Sequence, residues 1–382
     1  MTWLAGALVL AWLGQALGGV WLVGLHRRLR DMARPPALAQ PPVCVLVPVR
    51  GDPGGFLAAL AAQDYPDWHV VFAVEDAADP GFPALAAFCA QAPARRALVL
   101  AGPTTRRAQK LHNLLAALPL LRPADAVLVT LDADTLPAPD TLSRLVRPIL
   151  AGRADLASGY RWLLPGPGLG GQLAALVDHA VATLPRLDRL SLVWGGAMAV
   201  NRAALARLDL PALWDQAVSD DLTVSRAARA AGLVVHAPYD VRLPSPVDWT
   251  LAQGFEFARR QFRLVWLLAR PFWWVALAGS LVPVAGGAAA VWLGWWPALA
   301  LALLAQQWRL RRRRALGPAP APWLAPWAMP FALMAVLAAP GRRLRWAGRL
   351  YLLGPGAEVR AVRGSPKACS STGSATSTAS SV

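Results

Sequence analysis

Ala126-Val127-Leu128-Val129-Thr130-Leu131-Asp132-Ala133-Asp134 is an apolar run, interrupted only by Thr130, that ends in two carboxylates two residues apart. The run reads as a strand buried on both faces of a parallel sheet. Such a strand delivers Asp132 and Asp134 to the carboxyl edge, where open α/β sheets bind their ligands. Hard oxygen donors at that edge suit Mg²⁺ or Mn²⁺ carrying a diphosphate, which points to a nucleotide-sugar site. A bare Asp-x-Asp equally describes a solvated loop after a strand, so the surrounding chain has to decide between the two.

The same kind of run recurs upstream at Val43–Val47, His69–Val74 and Ala97–Leu100. Helical stretches separate the runs: Gly55–Gln63, Ala84–Gln91, Ala108–Leu121 and Pro139–Leu150. Alternation of this kind predicts a doubly wound α/β domain with right-handed crossovers. Asp155–Gly159 and Ser191–Val200 offer further strands, and Ser219–Ala231 reads as a helix capped by Ser219 with acids in its first turn. Gly166–Gly171 formally satisfies G-x-G-x-x-G but opens no strand-turn-helix unit, so it is read as a flexible loop over the site.

Composition places this domain beside a membrane. The chain has 382 residues, 56% hydrophobic and 16% charged, with 18 Trp and a mean hydropathy of +0.39, too apolar for an ordinary soluble protein of this size. Residues 2–25 carry no charge and are followed by His26, Arg27, Arg28 and Arg30. That order predicts a spanning anchor over residues 1–25 with its basic end in the cytoplasm, and it is the reverse of a cleaved signal peptide. A basic and Pro-rich connector, 26–42, leads to a cytoplasmic domain over 43–255.

Residues 256–270 read as an interfacial amphipathic helix. The charge-free stretch 271–308 is too long for one comfortable span and fits a hairpin of two, turning near Gly286-Gly287 or Gly294. Within 309–364, a basic loop precedes a short apolar stretch at Trp327–Ala339, read as interfacial, re-entrant or spanning, and then a cytoplasmic segment. The Ser/Thr-rich tail 365–382 reads as disordered. Formal net charge is +16, but the arginines cluster beside apolar segments, which favours lipid headgroups and topology over nucleic acid. Cys44, Cys89 and Cys369 show no metal or disulfide spacing, and the histidines form no evident ligand cluster. The expected setting is an integral, multi-pass membrane protein with a cytoplasmic catalytic domain, as in a bacterial inner membrane.

Three acidic sites follow the predicted elements: Glu75-Asp76, Asp132 with Asp134, and Asp220-Asp221. Inverting glycosyl transfer needs a nucleotide contact, a metal to neutralise the leaving diphosphate and a base for the acceptor hydroxyl, and these sites can fill those roles. The order of the surrounding motifs resembles family 2 glycosyltransferases of the ceramide glucosyltransferase-like branch, and also hopanoid-associated glycosyltransferases. The resemblance covers about 43 to 266. It rests on Leu46-Val47-Pro48-Val49-Arg50-Gly51, Gln63-Asp64-Tyr65-Pro66, Val74-Glu75-Asp76-Ala77-Ala78-Asp79-Pro80, Lys110 with Asn113, and Asp132-Ala133-Asp134 followed by Pro139-Asp140-Thr141-Leu142. Gly195-Gly196-Ala197-Met198-Ala199-Val200 followed by Arg202 completes it.

The resemblance implies a GT-A-type nucleotide-sugar-binding domain with transmembrane helices at both ends. It implies a UDP-sugar donor, Mg²⁺ or Mn²⁺, and a lipid acceptor such as ceramide. Donor-binding positions would be Pro48, Arg50, Asp76, Lys110, Asn113, Asp132, Gly195 and Gly196. Asp132 and Asp134 would hold the metal, and of the pair Asp220-Asp221 the second would be the base. The family's Gln/Arg-x-x-Arg-Trp motif is altered to Arg260-Gln261-Phe262-Arg263-Leu264, with Trp266 further on. Arg260 and Arg263 share a helical face and are expected to meet the leaving diphosphate. Competing readings are a processive polysaccharide synthase of the same superfamily, which would need a translocation channel, and a catalytically silent membrane scaffold.

Overall fold

The computed structural model describes residues 2–32, 39–188 and 190–364. Residues 33–38 of the connector and the whole Ser/Thr-rich tail lie outside the described residues. The chain opens with helix α1, Thr2–Met32, and enters an alternating region: β1 Val43–Pro48, α2 Phe56–Ala61, β2 Trp68–Val74, α3 Phe82–Ala90, β3 Arg96–Leu100, α4 Gln109–Ala117, β4 Val127–Leu131 and α5 Thr141–Leu150. Then come β5 Leu156–Ser158, β6 Tyr160–Pro165, α6 Leu169–Ala182, β7 Ala197–Asn201, α7 Arg202–Leu208, α8 Leu210–Leu213, α9 Asp220–Ala230, β8 Val235–His236 and β9 Arg242–Val247. Four more helices follow: α10 Leu251–Leu268, α11 Arg270–Trp292, α12 Trp296–Arg314 and α13 Ala325–Leu337. Strands β10 Arg343–Trp346, β11 Arg349–Leu353 and β12 Val359–Arg363 close the described chain.

The first four strands form where the apolar runs predict them, because both sheet faces are covered. Val43, Val45 and Val47 face one buried layer with Phe72 and Val129, under α2, α3 and α5. Cys44, Leu46, Val71 and Leu128 face the other, with α4 and α9. Alternation between two dry layers explains why these strands lack a polar face; burying each large apolar side chain contributes about 1.5 to 3 kcal/mol.

The main sheet has the order β3-β2-β1-β4-β7-β5-β8. The expectation of a parallel sheet is corrected at β7, which runs antiparallel to both β4 and β5. The chain reaches the carboxyl end of β4 at Gly195-Gly196, where the Thr130 hydroxyl donates to Gly195 O at 3.1 Å, and runs back from there. Strand order reverses between β1 and β4, which opens a crevice at their carboxyl ends.

One further prediction is corrected, and one segment without an assigned secondary structure proves to be a sheet. Gly166–Gly171 is not a flexible loop, since its second half begins α6 and is packed against the α10 N-terminus. A Cβ on Gly170 would stand 1.9 Å from Thr250 O. The segment after α13 is an antiparallel three-stranded sheet, β10-β11-β12, whose Leu344, Tyr351, Leu353 and Val359 complete the α4 side of the core. Its β10–β11 turn holds Ala347 at φ 52° and Gly348 at φ 77°, the left-handed pair that two-residue hairpins favour.

Among the described residues two helices, Thr2–Arg30 and Arg270–Trp292, are long and apolar enough to cross a membrane. The predicted hairpin turns at Leu293–Trp295, with Gly294 at φ 68°. Gly286 instead lets α11 close on α1, where a Cβ would meet Trp12 at 2.6 Å. The short apolar stretch forms α13, which buries Ala325, Ala328, Phe331, Ala332 and Ala335 in a shared cluster with α6 and α10.

Candidate active site

A cleft of about 290 Å³ opens at the carboxyl ends of β1, β2 and β4, lined by Pro48, Arg50, Glu75, Asp79, Gln109, Lys110, Asn113, Asp132 and Asp134. Its roof comes from the β10–β11 hairpin through Trp346, Ala347 and Tyr351. Lys110, in the first turn of α4, ties the cleft together: its Nζ lies 2.8 Å from Asp132 Oδ1 and 3.0 Å from Asp220 Oδ2. Burial works against the Lys110 charge, but Asp132, Asp220 and Asp221 outweigh it and hold the ammonium well above its ordinary range.

The two members of the acidic pair differ in setting. Asp220 is 3% exposed, and burial pushes its carboxyl up although Lys110 pulls it back. Asp221 is partly exposed at the α9 N-terminus. Its Oδ1 accepts from Leu222 N at 2.7 Å and its Oδ2 from Gly195 N at 3.2 Å. Gly195 is required there, because a Cβ would stand 2.0 Å from Asp220 Oδ2. Gly196 O accepts from Asp132 N at 3.1 Å, fixing the start of the Asp132–Asp134 turn.

Asp132 and Asp134 make a chemically suitable cation site. Burial first, and then the neighbouring Asp132 charge, raise the Asp134 carboxyl above its ordinary range. A divalent cation would relieve that repulsion, and the donors are hard oxygens of the kind Mg²⁺ and Mn²⁺ take.

Two arginines face the same carboxylates. Arg161, on β6, is opposed by burial but held above its ordinary range by Asp178, Tyr160, Asp134 and Asp132; its guanidinium lies 4.7 Å from the Phe257 ring centroid. Arg260, on α10, is lowered to about 10 by burial and then by repulsion from Arg161. It lies 5.5 Å from the ring centroid of Trp346 in the roof. Two guanidiniums that repel each other beside a cation site form a place where an anion gains on entering.

Pro48, Arg50, Lys110, Asn113, Asp132 and Asp134 are thus brought together, with Gly195, Gly196, Asp220 and Asp221 behind them. Two expected residues are not. Asp76 is exposed, and its Oδ1 accepts from Ala78 N at 2.9 Å, leaving Glu75 and Asp79 to face the cleft. Arg263 turns away, donating to Ala339 O at 2.7 Å, to Ala338 O at 2.9 Å and to Arg343 O. It closes the end of α13 and anchors β10.

The sequence reading singled out the Glu75-Asp76 pair but chose Asp76 within it, and it missed Arg161, Gln109 and the roof. Arg349 Nη2 lies 2.5 Å from Glu75 Oε1, Arg349 Nη1 lies 2.5 Å from Gln109 Oε1, and Arg50 donates to Ala347 O. The only available signal was the run of β-forming residues in Arg349–Leu353. The reading that no cysteine or histidine clusters is also corrected. Cys44 and His69 are register neighbours and meet Asp125, whose Oδ2 lies 2.9 Å from His69 Nε2. This cluster sits at the opposite edge of the sheet, and burial, then Asp125, push the Cys44 thiol up to about 12, so it stays protonated.

A family model described as glycosyl transferase family 21 matches residues 9–359. No curated protein matches the chain. Among solved structures, the mannosyltransferase PcManGT from Pyrobaculum calidifontis, in complex with GDP-Man and Mn²⁺, is similar at 21% identity and a TM-score of 0.55, over 88% of this chain and 98% of that one. The likeness shows a shared fold of the GT-A kind. Staphylococcus aureus TarS 1–349 is similar at 13% identity over 81% of this chain and 96% of that one, but its TM-score of 0.39 adds no argument.

Proposed function

This chain belongs to glycosyl transferase family 21, and from that premise we propose that it moves a sugar from a nucleoside-diphosphate sugar to a hydroxyl of a membrane lipid, with inversion. A UDP-sugar of the glucose type and a ceramide-like acceptor are the first substrates to test, following the motif resemblance. The PcManGT complex with GDP-Man and Mn²⁺ supports the donor class and the metal. The observation that carries the reading is the Lys110 bridge, which couples the Asp132–Asp134 edge to the acidic pair on α9.

Asp132 and Asp134 are the residues that would hold a divalent cation, which when bound neutralises the leaving diphosphate. Lys110, Arg161 and Arg260 add fixed positive charge where the leaving group gains negative charge. Asp221, partly exposed and oriented by Gly195 N and Leu222 N, accepts the proton of the acceptor hydroxyl as its oxygen attacks the anomeric carbon. The bond from that carbon to the diphosphate breaks on the opposite side. Asp220 positions Lys110 and is not itself the base.

A lipid acceptor is supported by α10, which carries Arg260 to the cleft and leads directly into the apolar α11. Lipid extracts from cells expressing the chain should contain a new glycolipid absent from cells expressing Asp221→Asn. Identical lipid profiles at equal expression would contradict the proposal.

A further inference from the structure

The two basic runs that flank apolar segments in the sequence meet in space. Gly6 faces Trp295, Gly19 faces Arg309 and Gly24 faces Arg312, so α1 and α12 run side by side in the same direction. Between them lies an open groove of about 1140 Å³. Leu17, Trp21, Leu304 and Trp308 make its apolar part, and Arg27, Arg311 and Arg312 line its cationic part. On both helices the arginines follow the apolar residues, so the charges gather at one end. Among the described residues no carboxylate lines it.

Two details give this groove the look of a site. Arg27 lines the groove with its guanidinium only partly covered, so its outer N–H groups are free to meet an anion there. The Arg312 guanidinium lies 5.3 Å from the Trp308 ring centroid, which holds the charge over the apolar part. Trp21 is 65% exposed and Leu304 67%, more apolar surface than water alone would favour.

We infer that this groove binds an anionic phospholipid, its phosphate between Arg27, Arg311 and Arg312 and an acyl chain along Leu17, Trp21, Leu304 and Trp308. The occupant follows from charge complementarity, since a zwitterionic headgroup would bring its own cation against three arginines. None of these residues lines the catalytic cleft. The inference rests on the membrane setting proposed above and not on the assigned chemistry.

The test is native mass spectrometry of the full chain in neutral detergent, titrated with phosphatidylglycerol, phosphatidylcholine or inorganic phosphate. Wild-type protein should retain phosphatidylglycerol selectively. Arg27→Gln/Arg311→Gln/Arg312→Gln should weaken that binding on the order of a hundredfold, while the matching triple Lys variant keeps most of it. Equal retention of both lipids by wild type, tighter binding of inorganic phosphate than of phosphatidylglycerol, or unchanged phosphatidylglycerol affinity in the Gln variant would each overturn the inference. Wild-type selectivity decides the matter even if a variant folds poorly. UDP-sugar binding by the same wild-type sample is read separately, so failure of the transferase reading is distinguishable from failure of the lipid site.

Discussion

Lys110 Nζ lies 3.0 Å from Asp220 Oδ2, although α4 and α9 are far apart in sequence and share no hydrophobic spacing. The same ammonium contacts Asp132, so one cation spans the two acidic groups that the proposed reaction needs. Replacing Lys110 with Met should leave three neighbouring carboxylates without their shared counter-ion. The expected result is loss of donor binding by about tenfold or more, read by calorimetry; wild-type affinity would remove Lys110 from the donor site.

The roof should matter for the donor rather than for the acceptor. Arg349→Ala removes the partner of Glu75 and leaves that carboxylate facing an incoming diphosphate. The KM for the donor should rise about tenfold, and Glu75→Gln in the same chain should recover part of the loss, since a charge-assisted bond contributes roughly 1.5 to 3 kcal/mol. An unchanged KM would make the hairpin a spectator.

Arg260 and Arg263 share a helix and should fail differently. Arg260→Ala should lower kcat more than it raises the donor KM, because its charge acts on the leaving group. Arg263→Ala should unfold more easily, by about 3 kcal/mol, because the carbonyls of Ala338, Ala339 and Arg343 lose a buried charged donor. The two effects are separated by steady-state kinetics and thermal unfolding in neutral detergent, and similar profiles for both variants would contradict the assignment.

Asp178 gives a dependence on pH. Its Oδ1 lies 3.7 Å from Arg161 Nε, and burial pushes its carboxyl up to about 6. A folded value above the unfolded one of about 3.9 means that its stabilising contribution is fully present below the unfolded value and is lost as pH rises through about 6. Wild-type melting temperature should therefore fall across that window, by an amount equivalent to roughly 3 kcal/mol, and Asp178→Asn should flatten the fall. Parallel slopes for the two proteins would show that Asp178 does not carry it.

Much of the fold was legible because local pattern and final environment agree. Val43–Val47 and Ala126–Leu131 read as strands because both faces of the sheet are covered, and Ser219 announced α9 through the cap it makes on Leu222 N. Asp132 and Lys110 were legible through motif order. The antiparallel β7 was not, because strand direction is set by where the chain re-enters the sheet and leaves no mark on Ala197–Asn201. The roof escaped because β10–β12 are short and rich in arginine, and their apolar residues make sense only against α4. Arg161 lacked any spacing signal, since β6 meets Asp134 through tertiary packing alone. Arg263 shows the converse: helical periodicity placed it beside Arg260, but the carbonyls at the end of α13 claimed its side chain.

Metal dependence follows from Asp132 and Asp134. Calorimetry of UDP-sugar binding should show a requirement for Mn²⁺ or Mg²⁺, with loss of binding in excess chelator and at least a tenfold weakening in Asp134→Ala. Full affinity and turnover in chelator would contradict the cation role.

In the proposed reaction Asp221 takes the proton of a lipid hydroxyl, and Asp221→Asn isolates that role because the amide keeps the shape and removes the proton acceptor. Donor affinity and single-turnover transfer to a ceramide-like acceptor are measured on the same preparation. Donor affinity should stay close to wild type and transfer should slow by about 10²-fold or more. Equal losses in binding and transfer, or transfer at the wild-type rate, would contradict it.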